Sequence, residues 1–247
     1  MPRDSYTVER DYVIVEHEGH VMHMPTEWGV PIPKPIKDYT VRYTTPMPPL
    51  LEELIAVTNE QLGPAAVCIC GVEEGTLLQM LVASIGARRV LDIGTFTGFS
   101  ALMMAAALPD DGRVIACEVN PNFLAVARRF IARSPHGHKI EIREGPALET
   151  LKTVQGPIDF ASIDADKENY IGYYEALVPM LAPNGMIAVD NVLWSGHVAY
   201  PEKYEGNDFM PGGTRIMATF NERVQQDPRV KNVILTVRDG VMLIRRA

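Results

Sequence analysis

The sequence predicts an α/β fold in which a doubly wound, mostly parallel sheet includes an antiparallel C-terminal hairpin strand. Three observations support this prediction. From about residue 88 onward, short apolar runs rich in β-branched residues alternate with longer segments of helical period, as in βαβ units. Turns that contain proline, asparagine or glycine separate these segments. Near the C-terminus an Asp-Gly pair lies between two apolar runs, which is typical of a tight hairpin.

The central elements follow in order along the chain. Five apolar runs are the predicted parallel strands, at residues 89–93, 114–119, 139–143, 158–164 and 186–190. A helix over 100–108 is predicted to end at a Pro-Asp-Asp-Gly turn. The next helix is predicted to begin after Asn120, which can cap it, with Pro121 at the first helical position. A third helix is predicted over 170–181, before a Pro-Asn-Gly turn.

Elements at both ends complete the predicted domain. A helix over 214–226 precedes the hairpin, whose strands are predicted at 233–237 and 241–244. Two amphipathic helices that would pack on the sheet are predicted upstream, at residues 49–62 and 73–85. The sequence therefore predicts one Rossmann-like domain over 49–247.

Residues 1–48 are predicted to be an appended arm, because they contain too few apolar residues for a core of their own. A hairpin is predicted over 12–24, turning at Glu18-Gly19, and a proline-rich segment follows it. The arm also contains three histidines at H-x-x-H-x-x-H spacing, His17, His20 and His23. In a strand, consecutive members of that set point to opposite faces, which disfavours a shared metal ion.

The composition excludes several classes of protein. With 47% hydrophobic and 22% charged residues, the chain is typical of globular domains rather than disordered ones. No apolar run approaches the roughly 18 residues that span a bilayer, and the charged N-terminus does not resemble a signal peptide, so we expect a cytoplasmic protein. Three cysteines without C-x-x-C spacing favour reduced thiols. The net charge of −8 disfavours nucleic acid as the main partner.

Candidate ligand-binding residues follow the first two predicted strands, because ligands bind at the carboxyl ends of parallel strands. The first strand leads into a loop from Asp92 to Ser100 that contains three ligand-facing candidates, Gly94, Thr95 and Gly98. Its G-x-x-x-G spacing lacks the dinucleotide fingerprint. The second strand ends at Glu118, which can accept hydrogen bonds from ribose hydroxyls. A nucleoside without phosphates fits this pattern, and S-adenosylmethionine is such a ligand, although a purely structural turn would look similar.

Oxygen-bearing side chains follow the fourth and fifth predicted strands. Asp164 ends one strand, and Asp190 and Asn191 end the other. In this topology the two strands are expected to be neighbours, so the three side chains should converge and form a hard, all-oxygen ligand set suited to Mg²⁺, with Ca²⁺ or Mn²⁺ as alternatives. The competing interpretation is that each acid caps the helix that follows it.

Several motifs resemble one family of enzymes. They are VLDIGTFTGFSALMMAAALPDDG, REGPAL, IDADKENY, VDNVLWSG and DGVMLIRR. Over roughly residues 47–247 the chain is similar to the cation-dependent class I O-methyltransferases of the caffeoyl-CoA and catechol type. The combination of D-x-D-K with a later D-N is specific to that resemblance. The sequence departs from the family at Ile69-Cys70-Gly71, where plant members often have Met-Thr-Ser.

The resemblance implies a role for individual residues. Asp164, Asp190 and Asn191 match the metal ligands, and Lys167 matches a lysine that acts as general base or electrostatic activator. Trp194 matches an aromatic wall of the substrate pocket. Further residues match positions that contact the methyl donor, namely Gly71, Asp92, Gly94, Ser100, Glu118, Ala147, Asp164, Asp166 and Tyr173. A homodimer is also implied.

The expected function is O-methylation that depends on S-adenosylmethionine and a divalent cation. The acceptor is a hydroxyl of a catechol-like or phenylpropanoid small molecule with adjacent hydroxyls, free or linked to a carrier. A metal chelated by two hydroxyls lowers their pKa, and Lys167 can accept the proton if the cation depresses its own pKa. Two alternatives stay open: a tRNA or RNA hydroxyl methyltransferase of the same family, and a non-catalytic nucleoside-binding protein. The long loop over 194–213 is expected to shape substrate choice.

Overall fold

The computed structural model describes the backbone of residues 5–9, 12–17, 20–25, 33–204, 208 and 210–247. It describes the side chains of residues 33–202, 208 and 210–247. The Glu18-Gly19 turn and the side chains of the three arm histidines lie outside these ranges.

The N-terminal segment contains a small sheet of its own. Its antiparallel strands are β1 (Ser5–Glu9), β2 (Tyr12–His17) and β3 (His20–Pro25). The pairing of β2 with β3 confirms the predicted hairpin, whereas β1 was not predicted. Helix α1 (Lys34–Arg42) lies in the proline-rich segment, where Pro35 occupies one of the first two helical positions and costs no hydrogen bond. None of the residues of α1, all of which the structure describes, is buried.

The main sheet has seven strands. In chain order they are β4 (Arg89–Ile93), β5 (Arg113–Glu118), β6 (Ile140–Glu144), β7 (Ile158–Ile163), β8 (Leu181–Val189), β9 (Val230–Leu235) and β10 (Val241–Arg246). Their spatial order is β6-β5-β4-β7-β8-β10-β9. Strand β10 lies antiparallel between β8 and β9, and the remaining pairs are parallel. This order confirms the predicted fold class and places β7 beside β8.

Helices cover both faces of this sheet. They are α2 (Pro49–Leu62), α3 (Gly71–Ser84), α4 (Phe99–Ala107), α5 (Pro121–Arg133), α6 (Ala147–Thr153), α7 (Tyr170–Leu177), α8 (Pro201–Tyr204) and α9 (Gly213–Gln225). Helices α2 to α5 contribute apolar side chains to two core clusters, and α6, α7 and α9 contribute to a third. In that third cluster the ring of Phe220 packs edge-on against Tyr170 and Tyr174.

Two of the boundaries that differ from the sequence prediction have a clear physical cause. Helix α7 ends at Leu177 and continues only as a short 3-10 turn, because Pro179 has no N–H to extend an α-helix and restricts the residue before it. Strand β8 begins at Leu181, five residues before the predicted start, and the Pro-Asn-Gly sequence lies within it. The pairing of β8 with β7 shifts register between Ile158 and Phe160, which accommodates these turn-forming residues.

Within the described residues, no single helix is long and apolar enough to cross a bilayer. Two consecutive helical segments, Pro49–Cys68 and Gly71–Ser84, are together long and apolar enough, but the chain bends by 71° between them.

Candidate active site

A cavity of about 700 Å³ opens at the carboxyl ends of β4, β5, β7 and β8. Most of the predicted site residues line it, namely Gly94, Glu118, Ala147, Asp164, Asp166, Lys167, Tyr173, Asp190, Asn191 and Trp194. A smaller adjoining cavity is lined by Asp92, Thr95 and Ser100 together with Gly94 and Asp164. Gly71 and Gly98 lie outside the described lining of both cavities. The structure therefore brings the predicted nucleoside and metal residues to one place.

The glycine loop after β4 lies very close to the loop after β7. Gly94 has a φ of +89°, and a Cβ added there would overlap the carbonyl oxygen of Asp164. Only glycine, which has no Cβ, allows the two backbone segments to lie this close together. The backbone N–H groups of Gly94 and Thr95 donate to the carbonyl of Cys117 at 3.1 and 3.0 Å. Gly98, with a φ of +90°, directly precedes α4 and turns the chain into that helix.

Asp92 forms the buried floor of the smaller cavity. Its side chain accepts a hydrogen bond from Ser100 Oγ at 2.7 Å, and the residue is 1% exposed. Burial raises the pKa of Asp92 to about 6, only partly offset by hydrogen bonds to the carboxylate. A positively charged ligand group would stabilise its ionised form.

Glu118 is held rigidly at the end of β5. Its Oε1 accepts from the backbone N–H groups of Val119 and Asn120 at 2.8 and 2.9 Å, and its Oε2 accepts from Phe96 N at 3.0 Å. A carboxylate has about four lone-pair sites, so acceptor capacity is left for a ligand in the cavity. The ring of Phe96 packs edge-on against Phe123 at 4.5 Å, and both rings line the cavity. Sequence analysis did not identify this aromatic pair.

The predicted metal ligands occupy adjacent strand ends. Asp164 N donates to the carbonyl of Ile93 at 2.9 Å, and Asp190 N donates to Ile163 at 3.0 Å, which extends the parallel ladder to both acids. Burial and then the charge of Asp164 raise the pKa of Asp190 to about 7. Two acids that repel each other in this way would be stabilised by a shared cation.

Asn191 supplies the third oxygen of the set. It has a φ of +62°, and its Nδ2 donates to Asp239 Oδ2 at 3.2 Å, while its Oδ1 accepts no hydrogen bond from the residues that the structure describes. Among the described residues, no group of three or more His, Cys, Asp or Glu side chains is arranged to hold a metal. This set instead combines two carboxylates with one amide oxygen, which are hard ligands that fit a magnesium-type cation.

Lys167 is almost enclosed beside Asp164. Its side chain is 12% exposed, and Nζ donates to Asp164 Oδ1 at 2.9 Å and to Tyr170 Oη at 2.6 Å. Burial alone would lower the pKa of Lys167, but the neighbouring Asp164 and Tyr170 outweigh it and raise the pKa. The groups of the protein that face Lys167 therefore favour the charged ammonium, whereas a general base needs a lowered pKa.

The remaining predicted residues form the cavity walls. Tyr173 Oη donates to Asp166 Oδ1 at 2.5 Å, and Ala147 is buried at the start of α6. Trp194 is 1% exposed, and its Nε1 donates to Asp208 Oδ1 at 3.0 Å. A Cβ added to Gly213 would overlap the Trp194 ring, so the indole is wedged against the start of α9. The long loop after Trp194 is only partly described.

The comparisons with known proteins agree with this geometry. A family model described as O-methyltransferase matches residues 42–247. The chain belongs to the O-methyltransferase family. It is 37% identical to caffeoyl-CoA O-methyltransferase 2 from Zea mays over 205 residues, which cover 81% of this chain and 77% of that protein.

Solved structures show the same fold. An O-methyltransferase from Bacillus cereus in complex with SAH is 30% identical with a TM-score of 0.75, covering 86% of this chain and 97% of that one. A methyltransferase from Podospora anserina with bound SAH is 26% identical with a TM-score of 0.78, covering 88% of this chain and 98% of that one.

Two residues of this O-methyltransferase that sequence analysis treated only as hairpin turn residues lie at the site. Asp239 is buried, accepts hydrogen bonds from Asn191 Nδ2 and Ser195 N, and has a pKa raised by burial to about 6. Arg238 lines the large cavity, and its Nη1 occupies the space that a Cβ on Gly71 would need. The signals were the Arg-Asp-Gly turn and, for Asp239, its place at the start of the DGVMLIRR motif, and neither of them predicts the position of these side chains.

Proposed function

We propose that this O-methyltransferase transfers the methyl group of S-adenosylmethionine to one of two adjacent hydroxyls on a catechol-like or phenylpropanoid small molecule. One observation carries the proposal: the Asp164, Asp190 and Asn191 oxygens line the same cavity as Glu118 and the glycine loop. A nucleoside donor and an acceptor held at the oxygen set would therefore meet in one place. The names of the plant relatives, caffeoyl-CoA O-methyltransferases, support the acceptor class.

The donor is assigned to the glycine-loop side of the cavity. Glu118 accepts hydrogen bonds from the ribose hydroxyls, and Gly94 lets the ligand approach the backbone. Ala147, Asp166 and Tyr173 form the wall beyond Glu118 on this side, and Thr95 and Gly98 shape the loop. The family resemblance assigns Gly71 to a segment that lies over the donor. The donor carries positive charge on its ammonium and sulfonium groups. The acidic surroundings, with Asp92 bonded to Ser100 at 2.7 Å, favour such a ligand.

The acceptor is assigned to the side of the cavity formed by β7 and β8. Asp164, Asp190 and Asn191 would hold a divalent cation, with Mg²⁺ as the best match to their hard oxygens. The cation, when bound, lowers the pKa of the chelated hydroxyls and orients them. Trp194 forms the apolar wall against which an aromatic ring can lie.

Lys167 is assigned the role of electrostatic activator. Because its Nζ donates to Asp164 and Tyr170, it stays an ammonium and places a positive charge beside the acceptor oxygen. That charge stabilises the anionic oxygen as it attacks the methyl carbon. The new O–C bond forms as the S–C bond breaks, the electrons of the S–C bond remain on sulfur, and the hydroxyl proton passes to solvent water before or during the attack.

One incubation distinguishes this proposal from its alternatives. The protein is mixed with methyl-labelled S-adenosylmethionine, Mg²⁺ and, in separate reactions, catechol, caffeoyl-CoA and tRNA. We expect label in catechol or caffeoyl-CoA. Comparing these two reactions shows whether the enzyme prefers a free acceptor or one linked to a carrier. Transfer to tRNA alone would overturn the proposal in favour of an RNA methyltransferase, and donor binding without transfer to any arm would favour a binding protein. The homodimer and the cytoplasmic location stay predictions from the sequence.

A further inference from the structure

Arg238 is a cation in the cavity wall whose role the proposed reaction leaves open. It lies in the turn between β9 and β10 with a φ of +48°, in the left-handed region that favours glycine. Its side chain is only 24% exposed and lines the cavity that contains Asp190, Asn191 and Trp194. A non-glycine residue held in this conformation at a ligand cavity indicates a function for its side chain.

The hydrogen-bonding capacity of this guanidinium is largely unused. Its Nε lies 3.5 Å from Glu74 Oε2, which is an ion pair with poor hydrogen-bond geometry. In the described part of the chain, no group accepts a hydrogen bond from the Arg238 side chain. A guanidinium has five N–H donors and stays charged at any physiological pH. Lys167, the neighbouring cation of the cavity, already donates to Asp164 and Tyr170.

The position of Arg238 points to the acceptor rather than to the donor. Asp239, the next residue, holds the amide of Asn191 at 3.2 Å. Burial would lower the pKa of Arg238, but the charges of Glu74 and then Asp190 raise it, so these acids lie close to the guanidinium. Arg238 does not belong to the described lining of the smaller cavity, where Asp92 and Ser100 lie. An anion that reaches Arg238 is therefore close to the oxygen set.

We propose that Arg238 selects acceptors that carry a carboxylate on the aromatic ring next to the pair of hydroxyls. The inference rests on the proposed function and names the substrate class of that site. The Nε of Arg238 faces Glu74 and its Nη1 lies against Gly71, and the remaining N–H groups of the guanidinium can donate charge-assisted hydrogen bonds to a carboxylate. The hydroxyls are assigned to Asp164, Asp190 and Asn191, and Arg238 lines the same cavity as these residues, so we assign the carboxylate to the ring position next to the hydroxyls.

The test compares three acceptors at saturating S-adenosylmethionine and Mg²⁺. They are 2,3-dihydroxybenzoate, 3,4-dihydroxybenzoate and catechol, which have the carboxylate beside the hydroxyls, away from them, or absent. We expect the wild-type kcat/KM to be highest for 2,3-dihydroxybenzoate. In Arg238→Gln, its ratio to catechol should fall by about 10- to 100-fold, as for loss of a charge-assisted hydrogen bond, and Arg238→Lys should retain part of it. Arg245→Gln, an exposed change on β10, is the matched control and should keep the wild-type ratio.

The other possible outcomes distinguish failure of this inference from failure of the proposed function. Wild-type transfer to catechol without preference for 2,3-dihydroxybenzoate, or an unchanged ratio in Arg238→Gln, overturns the inference and leaves the proposed function standing. An equal loss on all three acceptors with weaker SAH binding by calorimetry would place the guanidinium on the donor carboxylate and also overturns it. Transfer by the wild type to caffeoyl-CoA but to none of the three overturns the inference alone, whereas transfer to none of the three and not to caffeoyl-CoA, with SAH still bound, contradicts the proposed function itself.

Discussion

At the scale of single residues, the candidate metal site depends on a partner far away in the sequence. Asn191 is positioned by a hydrogen bond of 3.2 Å to Asp239, 48 residues further along the chain. The strand-end pattern predicted Asp164, Asp190 and Asn191 because each follows an apolar run. It could not predict Asp239, since a turn aspartate between two strands is an ordinary hairpin signal.

An exchange of side chains between Asn191 and Asp239 tests this contact. In Asn191→Asp alone, two carboxylates face each other where the hydrogen bond of 3.2 Å lies in the wild type. Their repulsion should lower the apparent Mg²⁺ affinity and the kcat/KM for catechol, each by at least about tenfold. The double variant Asn191→Asp/Asp239→Asn restores one donor and one acceptor. We expect a coupling free energy of about 1–3 kcal/mol in the double-mutant cycle. Additive losses would show that the contact does not position Asn191.

At the scale of elements, the side chain of Asp227 links helix α7, helix α9 and the turn that leads into β9. The buried carboxylate accepts from Tyr174 Oη of α7 at 2.8 Å and from Arg229 Nε of the turn before β9 at 2.9 Å, and Arg223 of α9 lies 3.3 Å away. The hydrogen bond from Arg229 is the main cause that holds the pKa of Asp227 below its usual value. A carboxylate with a lowered folded-state pKa stabilises the fold above its unfolded-state pKa of about 4.

Acid unfolding of Asp227→Asn measures that contribution. At pH 7 we expect the variant to have a free energy of unfolding about 1–3 kcal/mol below the wild type, because charged hydrogen bonds are lost. The difference should shrink as the pH falls below about 4, because there Asp227 binds a proton in the unfolded wild-type chain but, with its lowered pKa, not yet in the folded one. Urea titrations from pH 7 to pH 3 give this comparison. A difference that is constant with pH would show that the charge of Asp227 does not matter.

Elements with strong periodicity were predicted well, and short or irregular ones were not. Helix α2 was predicted at its observed bounds, and the cap at Asn120 is confirmed by a hydrogen bond of 2.9 Å from Asn122 N. Helix α6 has seven residues, which is too few for a helical period to stand out. The first half of β8 was missed because Pro183 and Gly185 indicate a turn, and only pairing with β7 makes this stretch a strand.

At the scale of the whole molecule, the order of the strands creates the site. The sequence predicted that β7 and β8 are neighbours, and the observed order confirms it. What could not be predicted is the place of Arg238, since the turn that carries it comes beside Asn191 only when β10 inserts next to β8. The division into an arm over 1–48 and a catalytic domain over 49–247 stays a prediction.

Truncations test that division. Removing residues 1–42 should leave one cooperative thermal transition and SAH binding by calorimetry, because α2 and the main sheet retain their core contacts. Removing residues 1–62 also deletes Leu51 and Leu54, both buried, and should abolish cooperative unfolding. If the shorter deletion alone unfolds the protein, the N-terminal segment belongs to the same folding unit.

The central claim is that divalent-cation chemistry at Asp164, Asp190 and Asn191 makes the acceptor hydroxyl reactive. The most direct measurement is the initial rate of methyl transfer from labelled S-adenosylmethionine to the preferred diphenol, before and after treatment with EDTA and dialysis. We predict that the rate falls to background, that excess Mg²⁺ restores it, and that Asp190→Ala shows no rate in either condition. A rate that is unchanged in the chelated, dialysed protein would contradict the account.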